Sequence, residues 1–194
     1  MSEQTALNIE QDTVLNGVNV TQLVATIGVV EENADVAKFK FRNHNKWING
    51  GQNRSTIDKF YGAMEEHSRE NPFVMDNDEP PVLLGTDKGA NPVEQVLHGL
   101  AGCITTTTVY YAAAKGIKID EMETIFVGDL DLRGFLGLPG RTRNGYEQIR
   151  VTVRIKSDAS DEDIKELVEL AQKRSPVYDI VTNPVPVSIN LERI

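Results

Sequence analysis

Cysteine is almost missing from this chain. Cys103 is the only one in 194 residues, which excludes an internal disulfide and a multi-cysteine metal site. Histidine is scarce as well, and His44, His67 and His98 share no metal-ligand spacing, so neither a metal nor an organic cofactor is expected. Basic charge is in deficit: 20 Lys and Arg stand against 29 Asp and Glu, a formal charge of −9. That balance argues against a nucleic-acid partner and against docking on an anionic membrane. No apolar run approaches the roughly 18 residues of a spanning helix. The opening MSEQTALNIEQD is polar and acidic, unlike a signal or transit peptide. A cytoplasmic protein of one domain is the expectation, with residues 1–18 frayed and 19–194 folded.

What is present reads in blocks. Val20–Val30 alternates in the manner of a strand, and Val36–Arg42 alternates again beyond the turn residues Glu31–Asp35, which suggests a hairpin. Asn43–Asn53 is dense in Asn and Gly and reads as a loop. Ser55–Glu66 places Ile57, Phe60, Tyr61 and Met64 at helical spacing. Pro72–Pro81 then leads into the short apolar piece Val82–Leu84.

The clearest element is a long helix over Asn91–Lys115. Asn91 caps it, Pro92 takes the first helical position, Glu94 completes a capping box, and Gly116 terminates it. Its apolar residues spread around most of its circumference, so burial on nearly every side is expected, with a second copy of the chain helping to cover it. The alternating runs Glu121–Phe135 and Tyr146–Lys156 read as an antiparallel pair joined by a Gly-rich connection. Ser160 caps a helix to about Arg174, Pro176 breaks it and starts a turn to Ile180, and Val185–Leu191 reads as a closing strand. Strands and helices in blocks place the chain in the α+β class.

Few residues here carry chemistry. A reactive thiol needs a helix N-terminus or a nearby cation, yet Cys103 lies three turns into its helix, where the dipole has faded. On chain pattern alone, a buried inert thiol is the simpler reading. His98 stands roughly 140° around the helix from Cys103, so the two share no face. Glu94 is explained by the cap. The hydroxyls of Thr105–Thr108 can face a ligand or bond back to their own helix. GFLGLPGRTRNG has glycines without a phosphate-cradle order.

Two segments resemble a known family. NPVEQVLHGLAGCIT, residues 91–105, resembles the cysteine-bearing helix of the OsmC/Ohr proteins (osmotically induced and organic-hydroperoxide-resistance proteins). SPVYDIVTNPVPVSINLE, residues 175–192, resembles their C-terminal Cys-Pro turn and last strand, with serine in place of the cysteine. The likeness covers about residues 20–192, with an insertion around Trp47–Pro72. It implies an OsmC-like fold, antiparallel sheets around long central helices in an intertwined homodimer. It also implies peroxidatic chemistry at Cys103, with Ser175 at a degenerate resolving position. An external thiol would then have to resolve the oxidised cysteine.

The family's acid falls on Val93, one residue before Glu94, and no arginine lies within residues 72–90. The resemblance thus leaves Glu94, Arg42 and Arg54 as candidates to support the thiolate. The rival reading is a non-catalytic dimer binding a small apolar or thiol-reactive ligand, with Trp47, Phe60, Tyr61 and Thr107 around its pocket.

Overall fold

The computed structural model describes residues 12–193. The expected fray over residues 1–11 lies outside them. From Asp12 onward the chain is ordered instead: Val14–Leu15 (β1) and Val18–Asn19 (β2) form a small hairpin about Asn16 and Gly17, whose φ angles are 52° and 76°. The Asn16 amide reaches across the fold, donating to the Ile117 carbonyl at 2.8 Å and accepting from the Ile119 N–H at 2.9 Å.

Val20–Glu32 is a helix (α1), not a strand. Both alternating sets in this stretch contain valine or other apolar residues, so the period-2 pattern had no polar face to confirm it. The deciding local feature is Asn19, whose side chain caps the helix by accepting from the Gln22 N–H at 2.9 Å. The expected hairpin partner at Val36–Arg42 shrinks to a 3₁₀ turn at Ala34–Ala37 and the short strand Lys40–Phe41 (β3).

The next two expectations are also corrected. The Asn/Gly-rich loop is a hairpin, His44–Asn49 (β4) paired with Gln52–Ile57 (β5), and the Gly50-Gly51 dipeptide makes its turn with Gly50 at φ 54°. Side-chain amides knit it together, Asn45 donating to Asn53 at 2.8 Å and to Ser55 at 3.0 Å. Ser55–Glu66 holds no helix. Phe60–Gly62 (β6) and Glu65–His67 (β7) flank a two-residue turn in which Ala63 and Met64 both have positive φ, the geometry that matches strand twist in a tight hairpin. Phe73–Asn77 (β8) completes the arm. The strand orders are β3-β6-β7 and β4-β5-β8, two three-stranded antiparallel sheets.

A buried carboxylate joins this arm to the remainder of the chain. Asp78 is 1% exposed and accepts from the Thr86 hydroxyl at 2.5 Å and from the backbone N–H groups of Glu79, Thr86 and Lys88. The Thr86 hydroxyl above all, then the three N–H groups, hold its pKa at about 2 against an ordinary 3.8. Because the folded value is the lower one, its contribution to stability is complete above about pH 4 and is lost as the pH falls toward 2. The loop it ties leaves no room elsewhere: a Cβ on Gly85 would stand 1.7 Å from the Glu79 carbonyl oxygen. This knot delivers the chain to Asn91.

From there the expected elements form. Pro92–Lys115 (α2) carries the capping box, with Asn91 and Glu94 each accepting the other's N–H at 2.9 Å, and ends on Gly116 at φ 74°. Glu121–Asp129 (β9) and Gln148–Lys156 (β10) pair antiparallel, Met122 opposite Ile155 and Thr124 opposite Val153 on the face turned to α2. A helical turn at Leu132–Phe135 (α3) interrupts the first alternating run. Asp161–Arg174 (α4) and Pro176–Thr182 (α5) follow, capped by Ser160 and Ser175.

The buried apolar core is Leu100, Ile104, Ala112 and Ala113 of α2 with Leu167 and Ala171 of α4. Within this chain one side of α2 is buried, while Val96, Gly99, Gly102, Thr106 and Tyr110 lie exposed. Val185–Leu191 is not a strand, because it pairs with no other strand among the described residues, and its apolar side chains stand in solvent.

Candidate functional site

The site begins with the junction of α4 and α5. Ser175 closes α4 with its N–H on the Ala171 carbonyl at 2.9 Å and opens α5 by accepting from the Tyr178 N–H at 3.2 Å. Pro176 enforces that break, since it carries no N–H to continue α4. The same Ser175 hydroxyl donates its proton to Cys103 Sγ at 3.1 Å. Packing of α4 and α5 on α2 thus brings together two side chains 72 residues apart. Ser175 is 1% exposed, whereas Cys103 is half-buried and so open to a small reactant.

The bond holds the Cys103 sulfur against the junction of α4 and α5. The serine also fits as a capping residue, and its two roles use different parts of one group: a lone pair for Tyr178 and the proton for Cys103.

The other candidates are placed elsewhere. Glu94 is engaged in the cap of α2. Arg42 holds Glu66 through two bonds of 2.7 Å, and Arg54 holds Asp76 at 2.6 and 2.8 Å. Each guanidinium keeps its carboxylate below the usual range, chiefly by hydrogen bonding. Trp47 is 73% exposed on β4 and lines a cleft that includes Arg42 and Arg54 but not Cys103, Phe60, Tyr61 or Thr107. Phe60 stacks on Phe41 and on His67, with ring centroids 5.8 and 4.7 Å apart, as a small aromatic cluster of the arm. Tyr61 is half-buried on β6, and Thr107 is half-buried on α2. Thr108 bonds back to the Ile104 carbonyl at 2.8 Å, while Thr105 lies 3.4 Å from Thr124 of β9.

Sequence reasoning missed Tyr146. Its ring lies over Gly128 of β9, where a Cβ would come within 2.5 Å of the ring, and its hydroxyl donates to the Val93 carbonyl at 2.9 Å. Burial first, and the charge of Glu94 second, push its pKa upward. The clue was Gly128 at an inward position of β9, in line with Met122, Thr124 and Phe126, which marks a close approach. Asp78 gave no comparable clue, since an Asp in a Pro-rich stretch reads as a turn residue.

With this geometry in place, comparison with known proteins is informative. The family model described as OsmC-like protein matches residues 85–190, which contain both Cys103 and Ser175. A hydroperoxide reductase of Mycoplasma genitalium is 29% identical over 105 residues, covering 54% of this chain and 70% of its own length. The hydroperoxide reductase of Mycoplasma pneumoniae is 28% identical over 109 residues, 55% of this chain and 72% of its own. Among solved structures, an OsmC-like protein from Mycoplasma pneumoniae aligns with a TM-score of 0.58 at 22% identity, over 75% of this chain and 89% of that one. At that identity the likeness is one of fold.

Proposed function

Since the chain belongs to the OsmC-like family, we propose that it is a one-cysteine hydroperoxide reductase acting in defence against peroxides. The observation that carries this reading is the hydroxyl-to-sulfur bond, 3.1 Å long, at an accessible thiol. The Cys103 thiolate attacks the outer oxygen of ROOH, the O–O bond breaks, RO⁻ leaves and takes up a proton as ROH, and the sulfur becomes a sulfenic acid. Ser175 has no thiol with which to trap that sulfenate. An external thiol therefore condenses with it, releasing water and forming a mixed disulfide, and a second thiol frees Cys103 and leaves as the oxidised pair. Such a cycle requires a reducing compartment, which in this reading is the cytoplasm.

The working unit in this reading is a homodimer. The chain exposes 15,275 Å², against about 9,200 Å² for a compact monomer of its mass. The uncovered face of α2, the apolar side chains Val24, Ile27 and Val29 of α1, and the unpaired tail at Val185–Leu191 are the surfaces a second copy covers.

The test is stoichiometry. Reduced protein mixed with a slight molar excess of cumene hydroperoxide and no reductant should consume one equivalent per chain in a fast phase, and dithiothreitol added at once, before the sulfenic acid over-oxidises, should restart it. Continued turnover without any thiol, or no consumption in the first place, would refute the one-cysteine cycle.

A further inference from the structure

The asparagine-rich hairpin of the arm has a neutral face that the thiol cycle leaves unused. Strand pairing fixes its membership. Trp47 of β4 stands opposite Asn53 of β5, which stands opposite Asn77 of β8, and the next rung on the same face is Asn45–Ser55–Met75. Neither rung carries a charged side chain. The rung between them, Lys46–Arg54–Asp76, is charged throughout, and strand alternation turns it to the other side of the sheet.

The hydrogen bonds bear out this grouping. Asn45 donates to Asn53 at 2.8 Å and to Ser55 at 3.0 Å, Asn43 donates to Ser55 at 3.1 Å, and Asn77 donates to Asn53 at 3.3 Å. These bonds occupy amide hydrogens. They leave the Oδ1 atoms of the exposed Asn43 and Asn45 with no donor among the described residues. Beside them Trp47 stands 73% exposed, with its indole N–H donating to the Gly50 carbonyl at 3.0 Å. That bond holds the ring and occupies its one polar group, so what the ring has left to offer is a flat apolar face.

A held tryptophan plate in line with free amide acceptors selects a ligand that has a C–H face and hydroxyl donors. The ring face is electron-rich and attracts polarised C–H groups, while amide oxygens accept from hydroxyls. A proline-rich peptide also brings C–H faces, but the groups it presents are carbonyl acceptors, which would meet the free acceptors here. A charged ligand finds no counter-charge on either rung. We propose that this face binds a neutral oligosaccharide, with one pyranose stacked on Trp47 and hydroxyls of the neighbouring sugars donating to Asn45 and Asn43. From Asn43 to Trp47 is about 13 Å of extended chain, which suits a run of sugars better than a single one.

Trp47 is the only tryptophan, so its fluorescence reports binding to the intact chain directly. The probes are cellohexaose, maltohexaose, glucose and a proline decamer, with calorimetry for the variant that lacks the fluorophore. The expected result is a saturable blue shift with at least one of the two oligosaccharides, unchanged by added salt, and much weaker binding of glucose. Trp47→Ala, at an exposed position where the fold should be indifferent, should weaken that oligosaccharide at least about tenfold. Asn45→Ala should weaken it about fivefold, the loss of one hydrogen bond, with a melting curve to show that the fold is retained. Lys46→Glu, on the opposite side of the sheet, should leave the affinity unchanged. No saturation by either oligosaccharide at millimolar concentration, or affinity indifferent to Trp47→Ala, would overturn the proposal. So would an affinity that falls as far with Lys46→Glu as with Trp47→Ala. Saturable binding of the proline decamer without binding of either oligosaccharide would overturn it in favour of a peptide.

Discussion

Cys103→Ser lowers hydroperoxide consumption by at least about 10³-fold, measured with cumene hydroperoxide and dithiothreitol, while the fold is retained. The substitution replaces sulfur with oxygen at a half-buried position on α2 and leaves a group that can still accept from Ser175. Stability is therefore expected to change little, and the loss would be chemical: an alcohol at this position is neither ionised nor polarisable enough to open an O–O bond. The measurement pairs a rate with a melting curve. A variant that melts like the parent and still consumes peroxide at the parental rate would remove Cys103 from the reaction.

Ser175→Cys gives the chain the second thiol that it lacks. The serine oxygen is 3.1 Å from Cys103 Sγ, close enough that a sulfur in its place reaches bonding distance with small side-chain rotations. After one equivalent of peroxide the variant should lose both thiols and form a 103–175 disulfide, detected by intact mass and by protection from alkylation. The crosslink spans 72 residues and should stabilise the oxidised form by about 4 kcal/mol, less about 1 kcal/mol for the lost cap on α5. The oxidised variant should consequently melt well above the reduced one. An introduced thiol that stays free while Cys103 is oxidised would mean that the two positions do not face each other.

What could be read from the sequence divides sharply at Asn91. Beyond it, each element announces itself by a strong local device: the Asn91/Glu94 box, Gly116, the strict alternation of β9 and β10, Ser160 before α4, and Pro176 after Ser175. There the resemblance, the periodicity and the structure agree, except at Leu132–Phe135, which is a helical turn, and at Val185–Leu191, which pairs with no strand among the described residues. Before Asn91 the local signals mislead. Val20–Glu32 is too uniformly apolar for a period to be distinguished, and helix wins through the Asn19 cap. Gly50-Gly51 is the turn of a hairpin, yet the surrounding asparagines made it look like an unstructured loop. Ile57, Phe60, Tyr61 and Met64 met a helical template by coincidence, because the segment leaves β5 for a strand of the other sheet and then turns tightly at Ala63-Met64.

The same division explains the candidate site. Arg42 and Arg54 could be nominated from composition, but their partners Glu66 and Asp76 depend on strand pairing across the arm, which the misread hairpins concealed. Glu94 was legible as a cap, and it is one. The hydrogen bond between Ser175 and Cys103 depends on three helices meeting, and periodicity cannot supply that.

The central claim is that this fold leaves Cys103 reactive without a second cysteine. The most direct measurement is the intact mass of reduced protein after brief exposure to one equivalent of cumene hydroperoxide, with dimedone present to trap sulfenic acid. The expected spectrum shows a single dimedone adduct that maps to Cys103, absent when dithiothreitol is added before the trap. A folded protein that comes through the exposure with its thiol unmodified would contradict the account.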